Sequence, residues 1–188
     1  MINTQKTILI VDDSEINVNT LMDLLDEKYE ILAALDGESA LEIIEEEEHI
    51  DLILLDIMMP GLDGFEVCKR LKLNPNTNDI PIIFITSKTD EDSIENAYDI
   101  GGVDYITKPF RAREVISRIT SHLALSEQSH ILEQMVKEKT LDIQDTLNES
   151  FKIISIMLKN GKLDKDTAKF ILDSKIYLEF SNKYHKII

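Results

Sequence analysis

Leu52-Ile53-Leu54-Leu55-Asp56 runs straight into Ile57-Met58-Met59-Pro60-Gly61. An apolar run of strand length ends in one carboxylate, and a Pro/Gly breaker follows at once. Such a run reads as a strand buried on both faces. In a doubly wound sheet the carboxyl end of that strand lies on the edge where ligands and chemistry gather. Asp56 is therefore the first candidate for a reacting group, a nucleophile that accepts a phosphoryl group.

Four further strand-like segments flank it: Thr7 to Val11, Glu30 to Leu35, Ile82 to Thr86 entered through Pro81, and Val103 to Thr107. Between them apolar residues recur at helical spacing: Ile16, Leu21, Leu24 and Leu25, then Ala40, Leu41, Ile43 and Ile44, then Phe65, Val67, Cys68 and Leu71. Strands alternating with helices imply parallel strands, right-handed crossovers and helices on both faces. Composition and period thus reach a three-layer α/β domain over residues 1–123.

Beyond it the pattern changes. Residues 111–159 contain no proline, no glycine and no strand signal. Leu125, Leu132, Val136, Ile143, Leu147, Ile154 and Leu158 are separated by seven and four residues in turn. That is an eleven-residue repeat, close to a straight stripe along a helix. It predicts a long amphipathic, coiled-coil-like helix over 124–160, continuing the fifth helix of the domain. Asn160-Gly161 ends it as a C-cap does. Asp164 then reads as the N-cap of a last helix within 161–188, carrying Ala168, Phe170, Ile171, Leu172, Ile176, Tyr177, Leu178, Phe180 and Tyr184. So apolar a helix needs cover from the long helix or from a partner.

Composition excludes several classes. No run approaches the roughly 18 apolar residues of a membrane span, and the first residues lack the apolar core of a signal peptide. A single cysteine, Cys68, leaves no disulfide framework or thiolate metal site and reads as a small core residue. A cytoplasmic address is expected. The net charge of −16 opposes nucleic-acid binding, which needs clustered Lys and Arg. The arginines stop at Arg118, so the tail has no recognition helix. Glu45-Glu46-Glu47-Glu48 reads as a solvated helix end, and the four histidines read as surface or helix-face residues.

Parallel strands bring four features to one edge: Asp12-Asp13, Asp56, Thr86-Ser87 and Lys108-Pro109. Asp12 and Asp13 have an alternative reading as the start of the first helix, since Asp favours that position. Tyr105 could likewise be an ordinary strand aromatic. Three carboxylates together call for a hard cation, and Mg²⁺ takes oxygen ligands of this kind. Phosphoryl transfer needs mainly positioning and electrostatics, which a hydroxyl (Thr86) and an ammonium (Lys108) supply. Asp as the nucleophile yields an acyl phosphate.

The chain resembles the receiver domain of two-component response regulators. The resemblance rests on Ile8-Leu9-Ile10-Val11-Asp12-Asp13, Leu54-Leu55-Asp56-Ile57-Met58-Met59-Pro60-Gly61-Leu62-Asp63-Gly64, Ile85-Thr86-Ser87 and Asp104-Tyr105-Ile106-Thr107-Lys108-Pro109-Phe110. It covers residues 4–123, with the landmarks in family order and spacing. It implies a flavodoxin-like five-stranded parallel sheet of order 2-1-3-4-5, an order for which a receiver is the standard example. It also implies Asp56 as phosphoacceptor and Mg²⁺ held by Asp12, Asp13, Asp56 and the backbone carbonyl of Met58. Thr86 and Lys108 contact phosphoryl oxygens, Tyr105 is the switch aromatic that reports on Thr86, and a cis bond precedes Pro109. Lys88 and the Met58 side chain stand where they tune access of hydrolytic water.

The implied phosphodonor is a sensor histidine kinase. The expected output is conformational, through the helical tail or the face between the fourth and fifth helices, in a homodimer. The alternative is the regulatory front of a cyclic-di-nucleotide phosphodiesterase or cyclase. Residues 124–188 lack the His/Asp clusters or Gly-rich loop of such a domain, so this chain is not itself expected to be that enzyme.

Overall fold

In the computed structural model, residues 5–47, 49–87, 91–162, 164, 166 and 167 are described. The elements are β1 (Thr7–Val11), α1 (Glu15–Leu25), β2 (Glu30–Ala34), α2 (Gly37–Glu46), β3 (Leu52–Asp56), α3 (Gly64–Leu73), β4 (Ile82–Thr86), α4 (Glu91–Asp99), β5 (Asp104–Thr107) and α5 (Ala112–Lys159). The strands form one all-parallel sheet of order β2-β1-β3-β4-β5, the order the resemblance implied. Two strand ends differ by one residue from the sequence reading. β2 stops at Ala34 because Leu35 turns outward ahead of the α2 cap, and β5 begins at Asp104 rather than Val103.

The central strands are apolar over residues 8–11, 52–55 and 82–85 because each face of the sheet has its own core. Leu9, Val11, Ile53, Leu55, Ile82 and Phe84 pack with α2, α3 and Ala97 of α4. The alternate residues Ile8, Ile10, Leu52, Leu54, Ile83 and Ile85 pack with Val18, Leu21 and Leu25 of α1 and Val115, Ile119 and Leu123 of α5. The strand period of two therefore divides one apolar run between two helical layers. Cys68 belongs to the first core, where burial pushes its thiol up to about 11. Ile16 departs from the expected helical stripe and is 78% exposed. With Val18, Leu21 and Leu25 turned inward, a residue two before Val18 lies about 200° round the helix, on the solvent side.

Helix starts follow side-chain chemistry. Asp36 accepts from the Ser39 backbone N–H at 2.7 Å and Asp63 from that of Glu66 at 2.8 Å. Each capping oxygen satisfies a backbone donor that the helix itself leaves unpaired. Glu45 to Glu47 are exposed, as a solvated helix end requires.

The chain divides into two units, Met1–His130 and Ile131–Ile188, and the division falls within α5. α5 ends at Lys159, and Gly161 follows with a φ of 66°, the left-handed conformation that glycine adopts readily. Asp164 Oδ1 accepts from the Thr167 backbone N–H at 2.8 Å, a capping geometry. The expected body of the last helix lies outside the described residues, as do Glu48 and Lys88. Among the described residues, no helix is long and apolar enough to cross a membrane.

Candidate functional site

The sheet register builds the site. Val11 pairs with Leu55 and Asp56 with Ile85, so Asp12 and Asp56 emerge side by side one step along, with Thr86 next in line. Thr86 pairs with Thr107, which brings Lys108 to the same edge. The Lys108 backbone N–H donates to the Thr86 carbonyl at 2.9 Å, and the Lys108–Pro109 peptide is cis. Asp12, Asp56 and Thr86 are buried, while Asp13 is exposed at the rim.

Asp12, Asp13 and Asp56 each offer a carboxylate oxygen, and these three atoms lie within 4.8 Å of one another. Lys108 Nζ donates to Asp56 Oδ2 at 2.6 Å and lies 2.8 Å from Asp12 Oδ2. The second contact is an ion pair by distance only, because Asp12 Oδ2 is buried without a well-directed hydrogen bond. Asp12 Oδ1 is occupied by the Ser14 backbone N–H at 3.0 Å and by Asn17 Nδ2 at 2.9 Å. Ser14, not either aspartate, is the N-cap of α1, so Asp12 is not spent on starting that helix.

Burial pushes the Asp56 carboxyl above its usual range and the Asp12 charge adds to this, against the opposing pull of Lys108. Burial works to lower the Lys108 ammonium, but its close contacts and charge pairing with Asp12 and Asp56 outweigh it, and the net shift is upward. One ammonium among three carboxylates leaves negative charge uncompensated. Two like charges 4 Å apart cost about 4 kcal/mol at an effective dielectric near 20. The donor set fits Mg²⁺: all oxygens, with one buried carboxylate oxygen lacking a hydrogen-bond partner. Met58 follows in the β3–α3 loop, its backbone N–H 3.3 Å from Asp56 Oδ1 and its side chain half exposed.

Tyr105 lies on β5, in register with Phe84 of β4. It packs edge-on against Tyr98, with ring centroids 6.4 Å apart, and lies under the Arg118 guanidinium. Several partners escaped the sequence reading. Asn17 supports Asp12, while Arg118 and His122 hold Asp104. The i,i+4 spacing of Glu114 and Arg118 was a readable signal; the pairing of Asp104 with α5 depends on the fold. His122, expected on a helix face, is there with its Nε2 3.0 Å from Asp104 Oδ2.

The family model described as the response regulator receiver domain matches residues 8–120. Over 173 residues, 91% of this chain, the sequence is 37% identical to a Vibrio cholerae protein named "Probable cyclic di-GMP phosphodiesterase". The chain spans 36% of that relative's length. Among solved structures it is similar to a two-component response regulator from Clostridium difficile, with 32% identity and a TM-score of 0.59 over 64% of this chain and 97% of that one. It is similar also to the receiver domain of a signal transduction histidine kinase from Syntrophus aciditrophicus, with 31% identity and a TM-score of 0.59 over 63% and 90% of the two chains.

Proposed function

Because this chain belongs to the response regulator receiver domain family, we propose that Asp56 accepts a phosphoryl group from a phosphohistidine on a sensor histidine kinase. The observation that carries this reading is the Asp56 carboxylate at the end of a buried strand, with Lys108 Nζ 2.6 Å away and two further carboxylates beside it. An Asp56 oxygen attacks phosphorus, the bond from phosphorus to the imidazole nitrogen breaks, and the imidazole leaves as its neutral form after taking a proton. The product is an acyl phosphate, and water later cleaves its O–P bond to restore the carboxylate.

Asp12, Asp13, Asp56 and the backbone carbonyl of Met58 hold Mg²⁺ in this reading. The bound ion supplies charge neutralisation between the carboxylates and the phosphoryl oxygens. Lys108 pairs with one phosphoryl oxygen as it leaves its ion pair with Asp12 and Asp56. Thr86 donates its hydroxyl to another, and Tyr105 reorients with it. Phosphorylation adds about −1.5 to −2 charge, by analogy with other phospho-residues, at this edge. A shift from 1:99 to 99:1 between two conformations needs roughly 5.5 kcal/mol of differential stabilisation. The output passes to a homodimer interface on the long helix or on the α4–α5 face. A small phosphodonor with Mg²⁺ should label the protein, and Asp56→Asn should abolish labelling. Labelling retained in that variant would refute Asp56 as the acceptor.

A second reading is favoured by the Vibrio cholerae relative, since an alignment of 173 residues runs on from the receiver into the long helix. In it, phosphorylation of Asp56 controls a cyclic-di-nucleotide phosphodiesterase domain beyond the helix. A chimera in which this chain replaces the matching part of that relative should hydrolyse cyclic di-GMP at a rate that Asp56→Asn changes. A rate indifferent to the substitution removes this reading.

A further inference from the structure

Among the described residues, the most densely tied cation outside the Asp56 site is Arg118 of α5. Its Nη1 donates to Asp104 Oδ1, and its Nε and Nη2 lie 3.3 and 3.1 Å from Glu114 Oε1. Its Cζ stands 5.6 Å from the centre of the Tyr105 ring. Asp104 is itself fixed from two other directions, by His122 Nε2 at 3.0 Å and by the Tyr105 backbone N–H at 2.8 Å. A guanidinium held by two carboxylates keeps little rotamer freedom, so its position over the ring is imposed from outside the ring. Tyr105 meets Tyr98 edge-on and packs against the apolar core under α2, α3 and α4.

We propose that Arg118 is a positioning residue that latches Tyr105 in the unphosphorylated protein, with Asp104 and Glu114 holding the guanidinium over the ring. The latch rests on the reading of Tyr105 as the residue that reorients with Thr86. If the ring must leave Arg118 when Asp56 is phosphorylated, the cation–π contact opposes the switch. Contacts of this kind at partly exposed sites alter a two-state ratio by about two- to fivefold. Arg118 thereby sets how readily the receiver responds, without touching the phosphoryl group.

The test uses the full chain carrying 3-fluorotyrosine, with the Tyr105 fluorine resonance assigned by its loss in Tyr105→Phe. Without any phosphodonor, Arg118→Met should move and narrow the Tyr105 resonance and raise its solvent isotope shift, as a released ring does. Asp104→Asn should act in the same direction to a smaller extent. Arg118→Lys, which keeps a cation, should fall between wild type and Arg118→Met. With donor and Mg²⁺ below saturation, the ratio of the phosphorylated-state to the resting-state Tyr105 resonance should rise about two- to fivefold in Arg118→Met. If the donor-free resonance of Arg118→Met or Arg118→Lys matches wild type in protein of unchanged thermal melt, the latch is overturned. If no variant is labelled by the donor, the phosphoacceptor reading fails, while the donor-free spectra still decide whether Arg118 restrains the ring.

Discussion

A methyl group on Gly64 would stand 2.1 Å from the Asp56 carbonyl oxygen, 2.9 Å from its carbonyl carbon and 3.0 Å from the Ile57 Cα. All three neighbours are backbone, so none can swing aside as a side chain would. Gly64→Ala must therefore push α3 and the end of β3 apart. Overpacking of this kind costs typically 1–3 kcal/mol, and here the displaced backbone is that of the proposed acceptor. The variant should melt at lower temperature and label more slowly with a small phosphodonor; wild-type values for both would show that the two elements have slack. The sequence makes Asp56, Thr86 and Lys108 legible because strand ends are marked by where apolar runs stop. It does not reveal Asn17 under Asp12 or Arg118 over Tyr105. The first is set by the local turn from β1 into α1, and the second joins residues that meet only once α5 lies on the sheet.

Among the elements, the strands were the easiest to read and the helix faces less so. A strand buried on both faces needs only continuous apolar residues, and β3 and β4 have them up to the polar residue that ends each, Asp56 and Thr86. A helix face depends on phase, and Ile16 shows how a single apolar residue in the first turn misleads when its neighbours set a different inward direction. Caps are local. The Asp63 side chain accepts from the Glu66 N–H at 2.8 Å at the start of α3, one residue before Gly64. Asp63→Ala should lower the stability of the domain by about 1 kcal/mol, read from the denaturant midpoint at unchanged slope. Because the cap sits where α3 meets the Asp56 loop, the loss should be accompanied by a measurable change in labelling rate. An unchanged midpoint would mean that the capping hydrogen bond contributes nothing to α3.

For the molecule as a whole, the decisive feature is the stripe on α5. Leu132, Val136 and Ile143 are 61%, 59% and 62% exposed, and off the stripe Met135 and Leu141 are exposed as well. Isolated apolar residues on a surface are ordinary, but a stripe that recurs every eleven residues along one side of a helix is the seam that the proposed homodimer would use. Two such helices lying side by side bury the seam continuously, which a single copy cannot do within the helix itself. The proposed homodimer therefore predicts a concentration-dependent doubling of mass in light scattering. Replacing Leu132 and Ile143 together by Glu puts like charges into the seam of both copies and should return the protein to a monomer, with the receiver's labelling by a phosphodonor intact. A wild-type chain that stays monomeric at high concentration, with and without phosphodonor, would remove the dimer. A double variant that stays dimeric would move the contact from the stripe to the α4–α5 face, where Arg118, Asp104 and Tyr105 already gather.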